Sequence, residues 1–407
     1  MTIEERHVTM LNMRLRLLRS STQVTGKRVL FRMDGNVPIV HGRVDDGPHG
    51  RIARAAVDIE WLAQRGARVI ILTHLGRPHG KHISAYSVKP VARRLSDLIG
   101  QKVLVTRDVV GPSVTKAVSA LKDGEILMLE NLRFDPREEA NAPSFAAALA
   151  ALGDLYVNDA FGDCHRAHAS IDAITTELPS FAGPLVESEV RVLTSVIEKP
   201  KRPFVLILGG LKIETKVPVL EQLLPKVDIV LIGGAIASAF LEAQGHSVGI
   251  SVIDDASRRI AQKILMKAGG KLCLPTDVIV STSMRRDARM RTTLVDAVAK
   301  RERILDVGPK TLVRYISEIK RARTIVWNGP LGYCELERFC HGTFSVAHAV
   351  AQRTGKAITV VGGGDTVPTI AHTGAKDPYT LLSTGGGAML AFLSGELLPG
   401  LIALRDS

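Results

Sequence analysis

Charged and polar residues stand at the ends of short apolar, β-rich runs in the first half of the chain. They are Arg32, Asp34 and Asn36; His74 and Arg77; Asn131 and Arg133; His165, Arg166 and His168. Arginines grouped in this way suit bidentate capture of a carboxylate or phosphate on a small, highly charged molecule. The first half therefore indicates a binding site for a small anion.

Bare glycine ends the comparable runs of the second half. The residues are Gly209 and Gly210, Gly233 and Gly234, Gly308, Gly329, Gly362 to Gly364, and Gly385 to Gly387. Glycine turns at helix N-termini let backbone N–H groups approach a polyphosphate closely, and the helix dipole favours its negative charge. The second half therefore indicates a nucleotide site.

Each of these residues also has an ordinary structural explanation. Glycine turns often serve only a positive φ or close packing, and most arginines lie on solvated surfaces. His74 and His165 could be cap or core residues, and neither has a metal-ligand spacing to a Cys or carboxylate. Four glycine doublets or triplets in one half are more than turn sterics alone would favour, and this supports the ligand interpretation.

Asp365, in the stretch VVGGGDTVPTI, has two interpretations that the local sequence leaves open. It could be the N-cap of the next helix, or it could bind Mg²⁺, which proteins often hold through one or two carboxylates plus substrate phosphates. Lys212 and Lys216 lie four residues apart after Gly210. On a helix they would share a face, as a pair addressing phosphates or as a solvated face.

The apolar runs alternate with helix-length amphipathic stretches, which is typical of βαβ units around a parallel sheet. The second-half runs include LPTDVIVS and ILDVGP. A length of 407 residues predicts two α/β domains, with ligands beyond the carboxyl ends of the strands. Between them, PLVESEVRVLTSVIEKPKRP, bounded by Pro184, Pro200 and Pro203, predicts a helical connector with a hinge.

Composition narrows the class of partner. With 45% apolar and 23% charged residues the chain is typical of a soluble globular protein, and no run approaches the roughly 20 apolar residues of a membrane span. The net charge of +12 favours anions. Because aromatic residues make up only 4% and do not alternate with basic ones, small phosphorylated ligands are favoured over nucleic acid.

Cysteine spacing and the N-terminus give expectations about the compartment. Cys164, Cys273, Cys334 and Cys340 show no paired spacing, so neither a zinc site nor a disulfide framework is predicted, and a reducing cytoplasm fits. The N-terminal stretch contains Glu4 and Glu5 and lacks a continuous apolar block. We interpret it as an extension rather than a secretion signal, with an Arg-rich organelle-targeting peptide as the weaker alternative.

Several known fingerprints are missing from the sequence. It contains no GxxxxGK[ST] P-loop, no GxSxG elbow and no protein-kinase signature set. A nicotinamide-dependent oxidoreductase would require GxGxxG, which IGGAIAS does not match. A non-enzymatic anion-binding protein, the other alternative, would have no need of the glycine turns.

Taken in order, the strand ends resemble those of the phosphoglycerate kinase family. The resemblance covers about Gly26 to about Leu404, nearly the whole chain. The motifs that carry it are GKRVLFRMDGNVP, RIARAAV, THLGRP, YSVKPVA, LENLRF, YVNDAFGDCHRAHAS, GGLKIETK, IGGA, LDVGPKT, TIVWNGPLG, VVGGGDT and LLSTGGGA. So many motifs in one order are not explained by chance similarity.

The resemblance implies two Rossmann-like parallel-sheet domains that face each other across a cleft and are joined by a hinge helix. The expected boundaries are 1–25 for an N-terminal extension and leading segment, 26–185 for the acid domain, 186–203 for the connector, 204–387 for the nucleotide domain and 388–407 for a segment returning to the first domain. It also implies a cytoplasmic monomer that needs Mg²⁺ and transfers a phosphoryl group between 1,3-bisphosphoglycerate and ADP, giving 3-phosphoglycerate and ATP, on hinge closure. Neither a nucleic acid nor a membrane is an expected partner.

Carried over by position, the resemblance also implies the site residues. For 3-phosphoglycerate they are Asp34, Gly35, Asn36, Arg51, His74, Leu75, Gly76, Arg77, Arg133 and Arg166. For the nucleotide they are Lys212, Lys216, Gly233, Gly234, Gly308, Glu335, Gly363, Gly364, Asp365 and Thr366, with Asp365 as the metal ligand. The implied catalytic residues are Arg51, Lys212, Gly364 and Gly387.

The sequence departs from the usual family pattern at a few positions, none of them assigned to the transfer chemistry. Gly35 stands where Phe is usual, and Asp163 and Cys164 replace Thr-Ala. Ser188 replaces a common Lys in the connector, and Cys334 replaces a Phe beside Glu335. These departures bear on how well the site works more than on what it does.

Overall fold

A computed structural model describes residues 14–47, 50–371 and 379–406. The first 13 residues of the expected N-terminal extension lie outside this range. The chain divides into two compact units between Arg191 and Val192, and the residues from Glu396 onward belong with the first unit. None of the helices in these ranges has the length and apolar character that a bilayer crossing requires.

The first unit contains a six-stranded parallel sheet with the strand order β5-β6-β4-β1-β7-β8. Its strands are β1 (Arg28–Arg32), β4 (Arg68–Leu72), β5 (Val103–Val105), β6 (Ile126–Met128), β7 (Leu155–Asn158) and β8 (Ser180–Ala182). A small hairpin is formed by β2 (Ile39–Val40) and β3 (Arg43–Val44). The helices are α1 (Arg51–Gln64), α2 (Lys89–Ile99), α3 (Pro112–Ser119), α4 (Pro136–Glu139) and α5 (Pro143–Ala150). A further helix, α6 (Pro184–Glu198), begins in this unit and contains the division between Arg191 and Val192.

The central strands are apolar without alternation because helices cover both faces of the sheet. In β1, for example, Val29 and Phe31 enter one core cluster and Leu30 enters the other. Helix α1 buries Ile52, Ala55, Ile59 and Leu62, which recur every three to four residues and form its core-facing side.

The start of α1 matters because Arg51 is its first residue. The carboxylate of Asp46 accepts hydrogen bonds from the N–H groups of Ile52 (3.1 Å) and Ala53 (3.1 Å) at the helix N-terminus. A Cβ on Gly50 would lie 1.9 Å from Asp46 Oδ1, so only glycine lets the capping carboxylate reach the helix. The position of Arg51 is therefore fixed by both packing and capping.

Both ends of the described chain join the first unit. Leu17 forms a parallel bridge with Ala182 of β8, and Leu15 forms an antiparallel bridge with Arg405. The N–H of Asp406 donates to the carbonyl oxygen of Arg14 (2.7 Å). The sheet is thus extended by short bridges that bring the two termini together.

The second unit contains another six-stranded parallel sheet, with the order β11-β10-β9-β15-β16-β17. Its strands are β9 (Phe204–Leu208), β10 (Ile229–Ile232), β11 (Leu272–Cys273), β15 (Thr324–Asn328), β16 (Ile358–Gly362) and β17 (Leu381–Ser383). Its helices are α7 (Val217–Leu223), α8 (Gly234–Ala243), α9 (Asp255–Lys267), α10 (Pro309–Arg321), α11 (His341–Ala351), α12 (Thr366–Ala371) and α13 (Gly386–Leu393), and α14 (Pro399–Ile402) follows in the first unit. The prediction of two parallel-sheet α/β units is confirmed.

One part of the strand prediction is wrong. The runs LPTDVIVS and ILDVGP are not strands of the parallel sheet; they form β12 (Asp277–Ser281) and β14 (Arg303–Val307) of a separate antiparallel sheet. A strand that the sequence did not reveal, β13 (Met290–Leu294), completes it. This strand is exposed at four of its five positions, and a solvated strand lacks the apolar pattern that identifies the others.

The cysteine prediction also needs correction. Cys334 and Cys340 form a disulfide across a sequence separation of six residues, whereas Cys164 and Cys273 are buried free thiols. The spacing did not match a known cysteine motif, and the turn that brings the two sulfur atoms together, Glu337–Phe339, is visible only in three dimensions.

Two carboxylic acids are paired inside the first unit. Asp159, after β7, is buried, and its Oδ1 accepts a hydrogen bond from the N–H of Leu185 (2.8 Å) at the start of α6. Its side chain lies against that of Asp58 on α1, and its Oδ2 has no hydrogen-bond partner among the described residues. A hydrogen bond between two carboxyl groups requires a proton on one of them. Burial raises the pKa of Asp58 to about 6 and raises that of Asp159 as well.

This pairing predicts a pH-dependent gain in stability for Asp58→Asn. An acid whose pKa is raised on folding destabilises the folded protein as the pH rises from its unfolded value, about 4, through its folded value. The variant keeps a donor to Asp159 but has no proton to lose. Its gain in the free energy of unfolding should be small at pH 4, should grow up to pH 6 and should reach on the order of 2 kcal/mol at pH 8.

The midpoint of thermal unfolding, measured from pH 4 to pH 8, tests this expectation. Glu60→Gln on the same helix is the control, because Glu60 bonds to Gln64 rather than to a buried acid. A gain of equal size at pH 4 and pH 8 would contradict the shared proton.

Candidate functional site

Asp34 and Arg51 form a linked pair beyond the carboxyl end of β1. Arg51 Nη1 lies 3.2 Å from Asp34 Oδ2 and donates to the carbonyl oxygen of Asn36 (2.7 Å). Asp34 is nearly buried and accepts from the N–H of Asn36 (3.1 Å). The Arg51 side chain keeps 28% of its exposure, so it is anchored at one edge while part of it stays open to a ligand.

Gly35 lies too close to Thr73 for a side chain to fit. Its N–H donates to Thr73 Oγ1 (2.9 Å), and a Cβ at this position would lie 2.5 Å from that oxygen. Thr73 Oγ1 in turn donates to the carbonyl oxygen of Met33 (3.0 Å). The glycine that stands where Phe is usual therefore allows the segments after β1 and β4 to approach closely.

The loop after β4 is held in place by side-chain amides from two directions. Asn36 Oδ1 accepts from the N–H of Gly76 (2.9 Å), and Asn131 Nδ2 donates to the carbonyl oxygen of Leu75 (2.7 Å). Gly76 has a φ of 65°, and a Cβ there would lie 2.4 Å from Tyr86. These bonds fix the loop that carries His74 and Arg77. Leu75 is buried, so its side chain belongs to the packing, and Arg77 is exposed.

The guanidinium group of Arg133 has nitrogen atoms without a hydrogen-bond partner among the described residues. Its Nη1 donates to the carbonyl oxygen of Gly76 (2.9 Å), and its Nε lies 3.4 Å from Glu139 Oε1 without a hydrogen bond. In the described part of the chain, its buried Nη2 has no hydrogen-bond partner. A buried guanidinium donor without an acceptor is costly, so an anion bound here would be stabilising.

Arg32 and Asp163 form a buried ion pair beside His74. Arg32 Nη2 lies 2.9 Å from Asp163 Oδ2 and 3.1 Å from His74 Nδ1. A guanidinium only donates, so Nδ1 accepts and the ring proton is on Nε2. The pKa of His74 is lowered to about 3, chiefly by burial; Asp163 opposes this shift, and the charges of the nearby arginines add to it. His74 is therefore a neutral Nε2–H donor at neutral pH.

The segment after β7 adds Arg166 and two histidines. Arg166 is half-buried, and its Nε donates to His165 Nε2 (3.1 Å). His168 is buried, and burial lowers its pKa to about 4. The charges of Arg133 and Arg166 act on both Asp163 and His168. The structure thus brings the predicted acid-site residues of the first unit to one end of its sheet, with Arg77 at the exposed side.

Most glycine turns of the second unit serve packing. The N–H groups of Gly209, Gly210, Gly233 and Gly234 donate to the carbonyl oxygens of Asn328, Pro330, Leu208 and Leu331 at 2.8–3.0 Å. A Cβ on Gly209 would lie 2.1 Å from Pro330 O, and one on Gly234 would lie 2.5 Å from Gly210 N. Backbone carbonyl oxygens already accept from these N–H groups, and the glycines allow three segments to approach closely.

Gly308 is also structural. Its N–H donates to Asp277 O (2.8 Å), and it follows β14 of the antiparallel sheet rather than a parallel strand. The Asp277 carboxylate accepts from the N–H groups of Lys310 (3.0 Å) and Thr311 (2.7 Å) at the start of α10. The Asp277 carboxylate thus already accepts from the N-terminus of α10, where the glycine pattern indicated a nucleotide.

The turn Gly363 to Asp365 has the opposite character. No described residue accepts a hydrogen bond from the N–H groups of Gly364 and Asp365, and a Cβ on Gly364 would meet open space. Asp365 is exposed, and α12 begins at the next residue, Thr366. Gly386, at the start of α13, lies close by, since a Cβ there would be 3.0 Å from Gly364 N. Two helix N-termini therefore meet at an open surface, with Gly387 exposed at the second.

The two lysines lie in different surroundings. Helix α7 begins at Val217, so Lys212 and Lys216 precede it, and the expectation that they share a helix face is wrong. Lys212 is exposed, whereas Lys216 is buried and donates through Nζ to Asn328 Oδ1. Burial lowers the pKa of Lys216 to about 8, and the nearby charge of Asp365 opposes this effect. Lys216 is thus a buried cation close to the open turn.

Glu335 is exposed and follows the disulfide-bonded Cys334. In the described ranges, no group of three or more His, Cys, Asp or Glu side chains is arranged to hold a metal ion by itself. A metal at Asp365 would need its remaining ligands from a bound phosphate or water.

The sequence revealed the positioning residues only in part. Asn131 and Asn328 each make two or more side-chain bonds that fix the neighbouring loops, and Arg32 orients His74. All three stand at strand ends; this signal identified Arg32 and Asn131, and it could also have identified Asn328. Ser170 and Glu138, which lie behind Arg32, gave no such signal.

The contrast between glycine turns predicts opposite effects of two alanine substitutions. Gly234→Ala should lower the free energy of unfolding by about 3 kcal/mol, because φ is 62° and a Cβ meets backbone at 2.5 Å. Gly364→Ala, where a Cβ meets nothing, should leave it within about 0.5 kcal/mol. Thermal unfolding of both variants checks this difference, and equal midpoints would contradict the assignment of Gly234 to packing.

Comparisons with known proteins agree with this arrangement. The family model for phosphoglycerate kinase matches residues 19–396. Phosphoglycerate kinase of Moorella thermoacetica is 46% identical over 387 residues, covering 94% of this chain and 98% of the relative, and that of Chlorobium phaeobacteroides is 47% identical over 394 residues, covering 95% and 98%.

Solved structures give the same result. Phosphoglycerate kinase from Coxiella burnetii superposes with a TM-score of 0.81 at 39% identity, covering 96% of this chain and 98% of that one. The enzyme from Pyrococcus horikoshii gives 0.85 at 31% identity, covering 95% and 98%. Since the family model and these relatives span nearly the whole chain, the chain belongs to the phosphoglycerate kinase family, phosphotransferases with a carboxyl group as acceptor.

Proposed function

We propose that the chain catalyses the reversible, Mg²⁺-dependent transfer of a phosphoryl group between 1,3-bisphosphoglycerate and ADP, giving 3-phosphoglycerate and ATP in glycolysis, gluconeogenesis or carbon fixation. The observation that carries this proposal is the buried guanidinium of Arg133, whose Nη2 has no hydrogen-bond partner among the described residues. Such a group, next to Arg166 and a neutral His74, calls for a small, highly charged anion.

The first unit binds the acid in this proposal. Arg133, Arg166 and Arg77 pair with its phosphate and carboxylate, and His74 donates from Nε2. Arg51 reaches toward the phosphoryl group that is transferred, while Asp34 and the carbonyl oxygen of Asn36 hold its other edge. Gly35, Leu75 and Gly76 contribute backbone and shape.

The second unit binds the nucleotide. The open N–H groups of Gly364 and Asp365, with Gly363, Thr366 and the nearby N-terminus at Gly387, receive the phosphates. Lys216 and Lys212 add positive charge, and Glu335 lies by the ribose. Gly233, Gly234 and Gly308 shape the adenosine side through close packing, not through their N–H groups.

Asp365 fits the role of a magnesium ligand. Its carboxylate is exposed beside the unpaired N–H groups, where nucleotide phosphates would supply the other oxygen ligands. Bound Mg²⁺ would neutralise charge on the nucleotide phosphates.

The transfer itself requires no covalent enzyme intermediate. A terminal oxygen of ADP attacks the acyl phosphate directly, so catalysis consists of positioning and charge stabilisation. Arg51, Lys212 and the N–H groups at Gly364 and Gly387 stabilise the equatorial oxygens of the phosphoryl group. The carboxylate of 3-phosphoglycerate needs no general base. We include in the proposal hinge closure about α6, which excludes water during transfer.

The proposal also covers the state of the enzyme in the cell. It acts as a cytoplasmic monomer on small phosphorylated metabolites, without a nucleic acid or membrane partner. In a reducing cytoplasm the Cys334–Cys340 disulfide would be present as two thiols.

An assay with 3-phosphoglycerate, ATP and Mg²⁺, coupled to the consumption of 1,3-bisphosphoglycerate, tests the proposal together with Arg51→Ala. The wild-type chain should turn over, and the variant should lose about 100-fold or more in kcat. ADP affinity should stay within about twofold, since Arg51 lies in the first unit. Arg51→Lys, which keeps the charge without the planar fork, is the matched control. Full activity in Arg51→Ala would contradict its role, and no turnover in the wild type would contradict the function.

Asp365→Ala tests the metal ligand. The concentration of Mg²⁺ needed for half-maximal activity should rise about tenfold or more, because a carboxylate ligand beside the phosphates is lost. KM for 3-phosphoglycerate should change little. The exposed Asp287, in the same unit, gives Asp287→Ala as the control. An unchanged magnesium dependence in Asp365→Ala would refute the assignment.

A further inference from the structure

Arg32 lies fully buried at the carboxyl end of β1, and every branch of its side chain has a partner. Nε donates to Ser170 Oγ (3.0 Å), and Nη1 donates to the carbonyl oxygen of Met33. The two N–H bonds of Nη2 are divided between Asp163 Oδ2 (2.9 Å) and His74 Nδ1 (3.1 Å). One nitrogen atom therefore links a carboxylate to an imidazole.

A buried guanidinium needs an anionic partner, because an unpaired buried charge is strongly destabilising. Asp163 is the carboxylate in direct contact with Arg32, and its side chain is only 6% exposed. Glu138 and Asp34 are the other acids whose charges act on Arg32, but neither bonds to it. Glu138 accepts from Ser170 Oγ at 2.6 Å, and Asp34 pairs with Arg51. The orientation of the Arg32 guanidinium thus depends on Asp163.

We propose that Asp163 is a positioning residue of the acid site: its carboxylate holds Arg32, and Arg32 in turn fixes His74 as the neutral Nε2–H tautomer. This inference deepens the proposed function and rests on its placement of 3-phosphoglycerate beside His74. No described residue accepts from His74 Nε2, so the fixed proton is available to a bound anion.

Asp163 excludes the alternative tautomer of His74, with the proton on Nδ1, only because it holds Arg32 in place. Asp163 Oδ2 also lies 3.5 Å from His74 Nδ1, where it would attract a proton on that nitrogen. Arg32 Nη2 is closer to Nδ1 and carries a hydrogen toward it, which prevents this. If Arg32 loses Asp163, Nε stays bonded to Ser170 and Nη1 to Met33, but Nη2 is no longer held between the carboxylate and His74. Both tautomers of His74 then become accessible.

The ¹⁵N chemical shifts of the His74 ring in the ligand-free, full-length protein provide a test that does not depend on activity. The wild type should show the Nε2–H tautomer alone. Asp163→Ala should show a mixture of the two tautomers, and Asp163→Asn, which keeps an oxygen acceptor without the charge, should shift in the same direction by a smaller amount. Unchanged His74 shifts in both variants would overturn the proposal, and Asp163→Asn keeps it testable where Asp163→Ala fails to fold.

A double-mutant cycle with His74→Ala tests the link to catalysis. Asp163→Ala should lower kcat/KM for 3-phosphoglycerate about tenfold in the wild-type background, the effect of one charge-assisted hydrogen bond. In the His74→Ala background, Asp163→Ala should lower kcat/KM less than about twofold, because the contribution of His74 that Asp163 supports is already lost.

Each outcome of the cycle separates this inference from the proposed function. A tenfold loss in both backgrounds would overturn the positioning role alone and leave the acid site in place. If His74→Ala by itself leaves kcat/KM unchanged, His74 is not at the acid site. That result would contradict both the site assignment and this inference.

Discussion

The buried charge of Arg32 at the carboxyl end of the first sheet determines the hydrogen bonding of the side chains around it. Arg32 ends a strand that is covered on both faces, so its guanidinium cannot reach water and must be satisfied inside the protein. Asp163 supplies the negative charge, and His74 and Ser170 take the remaining hydrogen bonds on that side. The order of partners around Arg32 decides the protonation of His74, and thereby which side of its ring can face a ligand.

Arg133 shows the complementary use of burial. Arg32 has all its partners within the protein, whereas Nη2 of Arg133 has none among the described residues. Two arginines at one end of the same sheet therefore differ: the guanidinium of Arg32 is fully hydrogen bonded, and that of Arg133 keeps a buried donor without a described partner. Burial makes both effects strong, because a low local dielectric raises the value of a partner and the cost of its absence.

Glycine shows the same division in the second unit. At Gly209, Gly234 and Gly329 it allows backbones to approach within distances that no Cβ permits, and the N–H groups are used up by carbonyl or hydroxyl oxygens. At Gly364 no described atom lies within 4 Å of the place of a Cβ, and no described residue accepts from the N–H. The residue type is the same, but hydrogen bonding separates a turn used for packing from a turn whose N–H groups have no acceptor among the described residues. Lys216, held by Asn328 close to Asp365, marks the second kind.

The sequence by itself determined the class of fold, the two units and the strand ends that carry the sites, because apolar runs of strand length and glycine or arginine endings are local properties. It also carried enough motifs in order to identify the family. The tertiary structure alone decided that β12 and β14 leave the parallel sheet, that Lys212 and Lys216 do not share a helix face, and that Cys334 pairs with Cys340. It also decided which glycine N–H groups are free and which tautomer His74 adopts. These properties depend on partners distant in the chain, and a hydrogen bond between residues 32 and 74 leaves no pattern in the local sequence.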